Sequence, residues 1–370
     1  MARRRFLVLS ASMGAGHDAV AGELARRLRT QGADVLVRDV LTLLPPGTGR
    51  ALRSSYRVMV RHAPWLYSGI YALFLSPARG TAPSSTPLAV TAERALMALV
   101  GRWRPDAVVA TFHLAGQITG RLRGRGALSV PAAVYITDFA AHRGWLHPGN
   151  DLYVCVTGEV AAAARAATGR RAAVSGPVVA PEFCAAAGSA PPGCVWGSVF
   201  ARRGAGRPPV LVSAGAWGAG SALTGTVRSL AHHGLLPVLL CGRDRGLLRR
   251  ASGLPGVLAL GWVPDMAPLM ASARVLVDNA AGQTAVQALA AGLPVVGYRP
   301  IPGHGAEGVR RMAAAGLSLH ARDAAGLAAA AGLLARSGAD RDRQVARGSA
   351  VFGADAAVLI ADALFGAGRH

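Results

Sequence analysis

Residues 261–305 limit what this chain can fold into more than any other stretch: GWVPDMAPLMASARVLVDNAAGQTAVQALAAGLPVVGYRPIPGHG. The apolar run Ala273–Val277 reads as a buried strand. It enters a turn of small residues, Asn279 to Gly282, and then an Ala-rich helix from about Thr284. A second strand is expected over Pro294–Tyr298, closing on a loop with Pro300, Pro302 and Gly303. Short, wholly apolar strands that alternate with helices belong to a parallel sheet covered on both faces. The tight turn at a helix N-terminus is also an anion site, because free N–H groups and the helix dipole favour phosphate there.

The same layout opens the chain. Arg5–Leu9 reads as a strand, Ser10–Gly16 as a turn, Ala19–Gln31 as a helix and Ala33–Val40 as a strand. Further strands are expected at Ala107–Ala110, Ala132–Thr137 and Leu152–Val156. The pattern restarts with Val210–Ser213, a glycine turn at Gly215–Gly220, a helix over Ser221–His233 and strands at Pro237–Cys241 and Val257–Leu260. At 370 residues and 52% hydrophobic, the chain has material for two cores. The expected architecture is α/β: two doubly wound, Rossmann-like domains facing across a cleft, with ligands at the carboxyl ends of the strands. The expected boundaries are residues 1–180, a Pro/Gly-rich linker at 181–208, a second domain at 209–350, and a C-terminal helix in 351–370 packing back on the first domain. Two anion-binding turns in one chain point to an enzyme that holds a nucleotide diphosphate sugar.

The formal net charge of +21 would suit nucleic acid or an anionic membrane. All 40 basic residues are Arg, spread along the chain with no basic arm and no aromatic-basic array. Their abundance beside Ala and Gly looks like the coding bias of a GC-rich genome. Nucleic acid is therefore not an expected partner, whereas an anionic lipid surface is. The four cysteines are scattered, so neither a disulfide framework nor a metal site is expected, and a reducing cytoplasm fits. The N-terminal apolar run is too short for a signal peptide, and no run reaches spanning length, so a soluble or peripheral protein is expected.

Several residues carry candidate chemistry. The first turn, with Gly14 and Gly16, ends in His17 at the helix start. A neutral imidazole there, its pKa lowered by the dipole, accepts a proton; the alternative is a histidine bonded to its own turn. The turn containing Gly215, Trp217 and Gly218 lets main-chain N–H groups approach a diphosphate, or is a plain connection. Asp138 lies just past a strand end, with His142, Trp145, His147 and Asp151 following. It either orients His17 or an acceptor hydroxyl, or caps its turn. His142, His147 and Asp151 lack a third zinc ligand at firm spacing, so no metal site is expected. Residues 51–77 hold Tyr56, Trp65, Tyr67 and Tyr71 beside Arg53, Arg57 and Arg61. They read either as an interfacial helix or as an ordinary core pair.

In order, S-x-x-G-x-G-H, RPDAVVATFHLAG (104–116), TDFAAHRGWLHPGNDLY (137–153), GPVVAPEF (176–183), VLLCGRD, GWVPDM, the G-x-T of Gly282–Thr284 and AAGLPVV…PIPG make a set. Across nearly the whole chain that set resembles the glycosyltransferase family of monogalactosyldiacylglycerol synthases, bacterial diacylglycerol glucosyltransferases and the peptidoglycan enzyme MurG. The resemblance implies a two-domain GT-B fold and a metal-independent transfer from a UDP-sugar, with no further cofactor, and the first hypothesis is an inverting transfer. It implies that the second half holds the donor. Gly215, Trp217, Gly218, Gly282, Gln283 and Thr284 would face the diphosphate. Arg243, Trp262 and Val263 would lie near the base, and Gln287 near the ribose. Gly303 and His304 complete the donor set. It puts His17 on the family's loop histidine and residues 51–77, with Arg61, Trp65, Tyr67 and Tyr71, on its membrane and lipid-acceptor region; the catalytic candidates are then His17 and Asp138, and Gly14, Gly16 and Trp145 join the acceptor and membrane candidates. The implied acceptor is a diacylglycerol-like lipid at the inner face of the cell membrane, reached by a cytoplasmic, peripheral protein.

The sequence also departs from that pattern. The family's Lys-Pro-Gly-Gly is Asn279-Ala280-Ala281-Gly282, and its ribose Glu is Gln287. Its Gln-Glu-Glu and Asn are His304-Gly305-Ala306 and Gly308. A soluble natural-product acceptor, a UDP-sugar epimerase and an inactive sugar-nucleotide binder therefore stay open as alternatives at this point.

Overall fold

The computed structural model describes residues 3–75, 86–185 and 194–366. The chain divides into two compact units. One comprises Met1–Met59, Trp65–Val178 and Val351–His370, the other Val60–Pro64 and Val179–Ala350.

The first unit runs β1 (Arg5–Ser10), α1 (Ala15–Thr30), β2 (Asp34–Asp39), α2 (Thr48–His62) and α3 (Pro64–Phe74), whose facing ends from Val60 to Pro64 belong to the other unit, then α4 (Thr86–Trp103) and β3 (Ala107–Ala110). It continues with α5 (His113–Gly124), β4 (Ala132–Ile136), β5 (Leu152–Cys155), α6 (Gly158–Thr168) and β6 (Arg171–Val174). Its strands form one six-stranded sheet in the order β2-β1-β3-β4-β5-β6, and every pairing is parallel. The central strands β3, β4 and β5 are buried along their whole length, as expected for a sheet covered on both faces.

The second unit holds α7 (Pro181–Ala185), α8 (Val195–Gly204), β7 (Pro209–Ser213), α9 (Leu223–His232), β8 (Leu236–Leu240), α10 (Arg245–Ser252) and β9 (Leu258–Leu260). Then come α11 (Met266–Ala271), β10 (Val275–Asp278), α12 (Gln283–Ala290), β11 (Val295–Tyr298), α13 (His304–Ala314), β12 (Leu319–Ala321), α14 (Ala324–Ala335) and α15 (Ala339–Ala350). Its sheet order is β12-β11-β10-β7-β8-β9, again all parallel. Each sheet therefore reverses direction once: between β1 and β3 in the first unit, between β7 and β10 in the second. Such switch points are where doubly wound sheets open a crevice for ligands.

The segment expected as a linker differs from that reading. Residues 186–193 lie outside the described residues, as do the outermost positions of the 51–77 segment and of the C-terminal tail. Residues 195–204, however, are helix α8, which buries Phe200 and Gly204 in the second unit. The last helix, α16 (Ala356–Phe365), packs on α1 and β5 of the first unit. Phe365 meets Phe6 edge-on at 5.7 Å and lies under the Arg4 guanidinium. The returning chain passes so close to Gly176 that a Cβ there would sit 1.7 Å from the Val351 carbonyl oxygen. That contact and a φ of +79° account for the glycine of the GPVV motif.

Candidate functional site

At the switch point of the first unit, α1 starts four residues earlier than expected and carries His17 in its first turn. The Ser10 hydroxyl at the end of β1 donates to Asp18 at 2.7 Å and ties strand to helix. His17 Nδ1 lies 3.1 Å from the Thr111 carbonyl oxygen. A carbonyl oxygen only accepts, so Nδ1 carries the ring proton and Nε2 keeps its lone pair. The ring packs edge-on to Phe112 at 4.9 Å and beside Trp145 at 6.3 Å. Burial holds the His17 pKa below its ordinary value, against the opposing charge of Asp138 and the Thr111 bond. The lowering has desolvation as its largest cause. His17 is thus held toward its neutral form, with Nδ1 engaged by Thr111.

Asp138 follows β4. Its Oδ2 accepts the Trp145 indole N–H at 2.8 Å and lies 3.5 Å from His142 Nε2. Trp145 is fully buried, so it is the floor under Asp138 and not a lipid or acceptor contact. Gln117 fixes the loop from behind through the carbonyls of Gly144 and Leu146. The rest of the motif is scaffold. The Gly149 N–H donates to His147 Nδ1, Asp151 pairs with Arg123, and Asn150 donates to the Gly116 carbonyl oxygen. His147 and Asp151 are spent on the fold, and the described residues contain no cluster of three or more metal-ligating side chains.

The aromatic segment 51–77 splits by helix face. Tyr67 and Tyr71 are buried, so they are core residues and not membrane contacts. Tyr67 stacks edge-on to Tyr56 at 5.3 Å, and Tyr71 meets His142 at 5.9 Å. The opposite face of α3 presents Trp65, Leu66, Gly69, Ala72 and Leu73 to the surface. Trp65 and Leu73 are 73% and 67% exposed, so both rise from the surface of the described residues. Along α2, Arg50, Arg53 and Arg57 are exposed at helical spacing. Arg61 differs from the expected surface role: it pairs with Asp244, the N-cap of α10.

In the second unit the turn after β10 is already partly filled. The buried Asp278 carboxylate accepts from the N–H groups of Ala280 at 2.9 Å and Ala281 at 2.6 Å. Two donors that the sequence offers to phosphate are therefore taken, and burial raises the Asp278 pKa. The N-terminus of α12, from Gly282 through Gln283 and Thr284, has no side-chain cap. Asn279, in place of the family's Lys, joins three loops: its amide donates to the Ala219 carbonyl at 3.0 Å, and its own carbonyl accepts from Ile301 N–H at 2.7 Å.

The Gly215 turn is also tightly built. The N–H groups of Gly215 and Ala219 are bonded to the Ser213 hydroxyl and the Ala214 carbonyl, so neither is open to a diphosphate. Gly218 leaves no room for a Cβ beside Asp244. Gly242, at φ +58°, would place a Cβ 2.4 Å from the Gly215 carbonyl oxygen. Gly242→Ala should therefore cost about 2–4 kcal/mol through backbone collision and left-handed strain, read as a lowered thermal midpoint. An unchanged midpoint would contradict this packing. The Arg243 guanidinium stacks on the half-exposed Trp262 ring at 4.0 Å, giving a flat cation-aromatic surface beside Val263.

The departures beyond Gly303 have a steric reason. Gly303, at φ +80°, caps α13, and His304 is its first residue. Gly305 and Gly308 lie one turn apart on the face that meets the Asn279–Ala281 turn. A Cβ at 308 would sit 2.9 Å from the Ala281 Cβ. A methyl at 281, held at φ +50°, thus fits because residue 308 has no side chain. Gln287 lies half-buried one turn into α12. A small cavity at the ends of β7, β10 and β11 is lined by Ser213, Thr226, Asp278, Asn279, Tyr298 and Arg299.

Sequence reading missed Asp278 and Thr111. Asp278 had a usable signal, an Asp followed by small residues whose N–H groups it can cap. Thr111 acts through its backbone and had none.

The family described as monogalactosyldiacylglycerol (MGDG) synthase matches residues 17–179, and glycosyl transferases group 1 matches residues 222–337. A processive diacylglycerol beta-glucosyltransferase of Bacillus pumilus (strain SAFR-032) is 24% identical over 320 residues, covering 81% of this chain and 78% of that protein. Two solved structures share the fold over nearly the full length. MurG of Acinetobacter baumannii superposes with a TM-score of 0.59 at 15% identity, covering 98% of this chain and 99% of that one. Anabaena HepE in complex with UDP-glucose superposes with a TM-score of 0.55 at 14% identity, covering 98% and 95%.

Proposed function

We propose that this chain, which is similar to the monogalactosyldiacylglycerol synthases and diacylglycerol glucosyltransferases and shares the GT-B fold of MurG, moves a hexose or N-acetylhexosamine from a UDP-sugar to a diacylglycerol-like hydroxyl. The observation that carries the reading is His17, a neutral base at a sheet switch point whose free Nε2 is fixed by the Thr111 carbonyl. The acceptor hydroxyl gives its proton to Nε2 as its oxygen bonds to the anomeric carbon. The bond from that carbon to the diphosphate breaks, and UDP leaves with the electron pair. Attack opposite the leaving group inverts the anomeric centre. The Asp138 charge and the Thr111 carbonyl steady the imidazolium. The uncapped N-terminal turn of α12 and the N-terminus of α13 meet the negative charge on departing UDP. No metal is assigned a role, so a chelator should leave turnover unchanged.

The lipid side of the proposal rests on the exposed apolar face of α3 and the basic face of α2. An apolar face and an Arg-rich face on consecutive helices suit the boundary of an anionic bilayer. No described helix is long and apolar enough to cross a membrane, and the proposed location is peripheral, at the inner face of the cell membrane.

Incubation with UDP-glucose, UDP-galactose or UDP-N-acetylglucosamine and extracted bacterial lipid tests the function. Released UDP and a sugar-bearing lipid are expected. Release only with soluble aglycones would move the acceptor to a natural product.

Asp278 supplies a separate test of the donor half. Asp278→Asn keeps an oxygen to accept from Ala280 and Ala281 but removes a buried charge beside the proposed diphosphate site. UDP should then bind about fivefold tighter, on the order of 1 kcal/mol. Unchanged affinity in calorimetry would place the diphosphate elsewhere.

A further inference from the structure

The carboxyl end of β10 carries an acid into the turn that the proposed function gives to the diphosphate. Asp278 is the last residue of the strand and is 4% exposed. Its Oδ2 accepts from the N–H groups of Ala280 and Ala281, and the Asn279 N–H adds to the hold. No charged side chain pairs with it among the described residues. On the wall of the small cavity beside it, β7 and α9 bring the neutral hydroxyls of Ser213 and Thr226. Arg299 lines the same cavity but is turned to its neighbour: its Nε donates to the Tyr298 hydroxyl at 3.0 Å, and the guanidinium lies 5.4 Å from that ring. From α13, Gly305 and Gly308 meet the turn. The titratable groups in the first turn of that helix are His304 and Glu307, and Glu307 is paired with Arg310 and Arg311. A buried carboxylate held by main-chain N–H groups and no cation stands between two opposing effects. The N–H groups favour the charge, burial opposes it, and burial prevails, so the Asp278 pKa is raised.

We propose that Asp278 is a donor-binding residue that meets the sugar nucleotide as a carboxylic acid: binding draws a proton from solvent onto the carboxylate, and departure of the nucleotide returns it. A diphosphate at this turn, beside the uncapped start of α12, adds negative charge next to the acid. The charged form repels that ligand. The neutral form keeps one oxygen to accept from Ala280 and Ala281 and gains an O–H that can donate. A fivefold preference of the donor for the neutral form, the difference expected for Asp278→Asn, corresponds to about 0.4 of a proton taken up at the pH of greatest uptake. The inference rests on the reading of this turn as the diphosphate site.

The test is calorimetric titration of the full chain with UDP-glucose, UDP-galactose and UDP-N-acetylglucosamine, in buffers of different ionisation enthalpy, between about pH 5 and pH 8. The phosphates of these donors are diesters and stay charged across that range, so a proton taken up goes to the protein. For whichever donor binds, wild-type affinity should rise about fivefold as the pH falls, with uptake reaching about 0.4 of a proton. Asp278→Asn, a permanently neutral amide, should bind at the strong limit at every pH and take up none. Asp278→Ser, which keeps a hydroxyl acceptor, should be equally flat and covers the case in which Asp278→Asn fails to fold. His304→Gln should keep the wild-type slope, because the proton goes to Asp278 and not to the histidine at the start of α13. A flat wild type with no uptake, a wild-type slope in the Asp278 variants, or loss of the slope in His304→Gln overturns the inference and leaves the donor reading standing. Absence of binding by all three donors overturns that reading and this inference with it.

Discussion

Replacing His17 by alanine should lower kcat by about 10²- to 10⁴-fold, the range for loss of a positioned general base, with UDP affinity unchanged. The two effects separate because the base lies in the first unit and the proposed donor site in the second. The pH profile supplies an independent check. Burial holds the His17 pKa below its ordinary value of 6.5, so Nε2 stays unprotonated at neutral pH. kcat/KM should be flat around pH 7 and fall only at pH values below 6.5. The same shift has a stability consequence of matching sign. The folded state resists protonating His17, so its contribution is complete above pH 6.5 and is lost as the pH falls through that value. His17→Ala should remove that component of acid destabilisation. Near-wild-type turnover in the variant, or an acid limb above pH 6.5, would contradict the assignment of His17 as base.

The second large effect belongs to α3. Trp65→Glu with Leu73→Glu should abolish flotation with anionic vesicles. Each large apolar side chain taken out of water is worth about 1.5–3 kcal/mol, so losing two lowers vesicle partition by roughly a hundredfold or more. Carboxylates near an anionic surface add repulsion. Both residues are highly exposed in the folded chain, so the thermal midpoint should not move. Turnover on a short-chain acceptor in solution should persist while turnover on vesicles collapses. Unchanged flotation would mean that α3 does not face lipid. Replacing Tyr67 or Tyr71 instead should act through stability, because those rings are in the core.

What the sequence made legible follows from how each piece is determined. Strands β3, β4 and β10 are short runs with every residue buried, and such runs announce themselves. Strands β6 (RAAV) and β12 (LHA) are edge strands with exposed positions and no apolar run, so nothing marked them. Along α3 the aromatics were visible but their phase was not. Residues 65, 66, 69, 72 and 73 fall on one face and 67 and 71 on the other, which separates lipid contacts from core once the helix is placed.

In the site, His17 and Asp138 stood out because the motif order put polar residues at strand ends. How they are held did not. The Thr111 carbonyl is main chain, and the indole of Trp145 is turned inward by a fold determined elsewhere. Arg61 and Asp244 meet across 183 positions of sequence, 244 minus 61, which no local pattern can reveal. The turn after β10 looked like an open phosphate cradle because its small residues were visible. The carboxylate that fills part of it comes from the strand itself.

The most direct test of the account is a transfer reaction followed by label. Donors carrying a labelled sugar, UDP-glucose, UDP-galactose or UDP-N-acetylglucosamine, are mixed with diacylglycerol in phosphatidylglycerol vesicles, and the organic phase is counted for wild type and for His17→Ala. The account predicts label in the lipid fraction, matched mole for mole by free UDP, for at least one donor with the wild type and almost none with the variant. Tight UDP binding with no label in lipid for any of the three donors would contradict it.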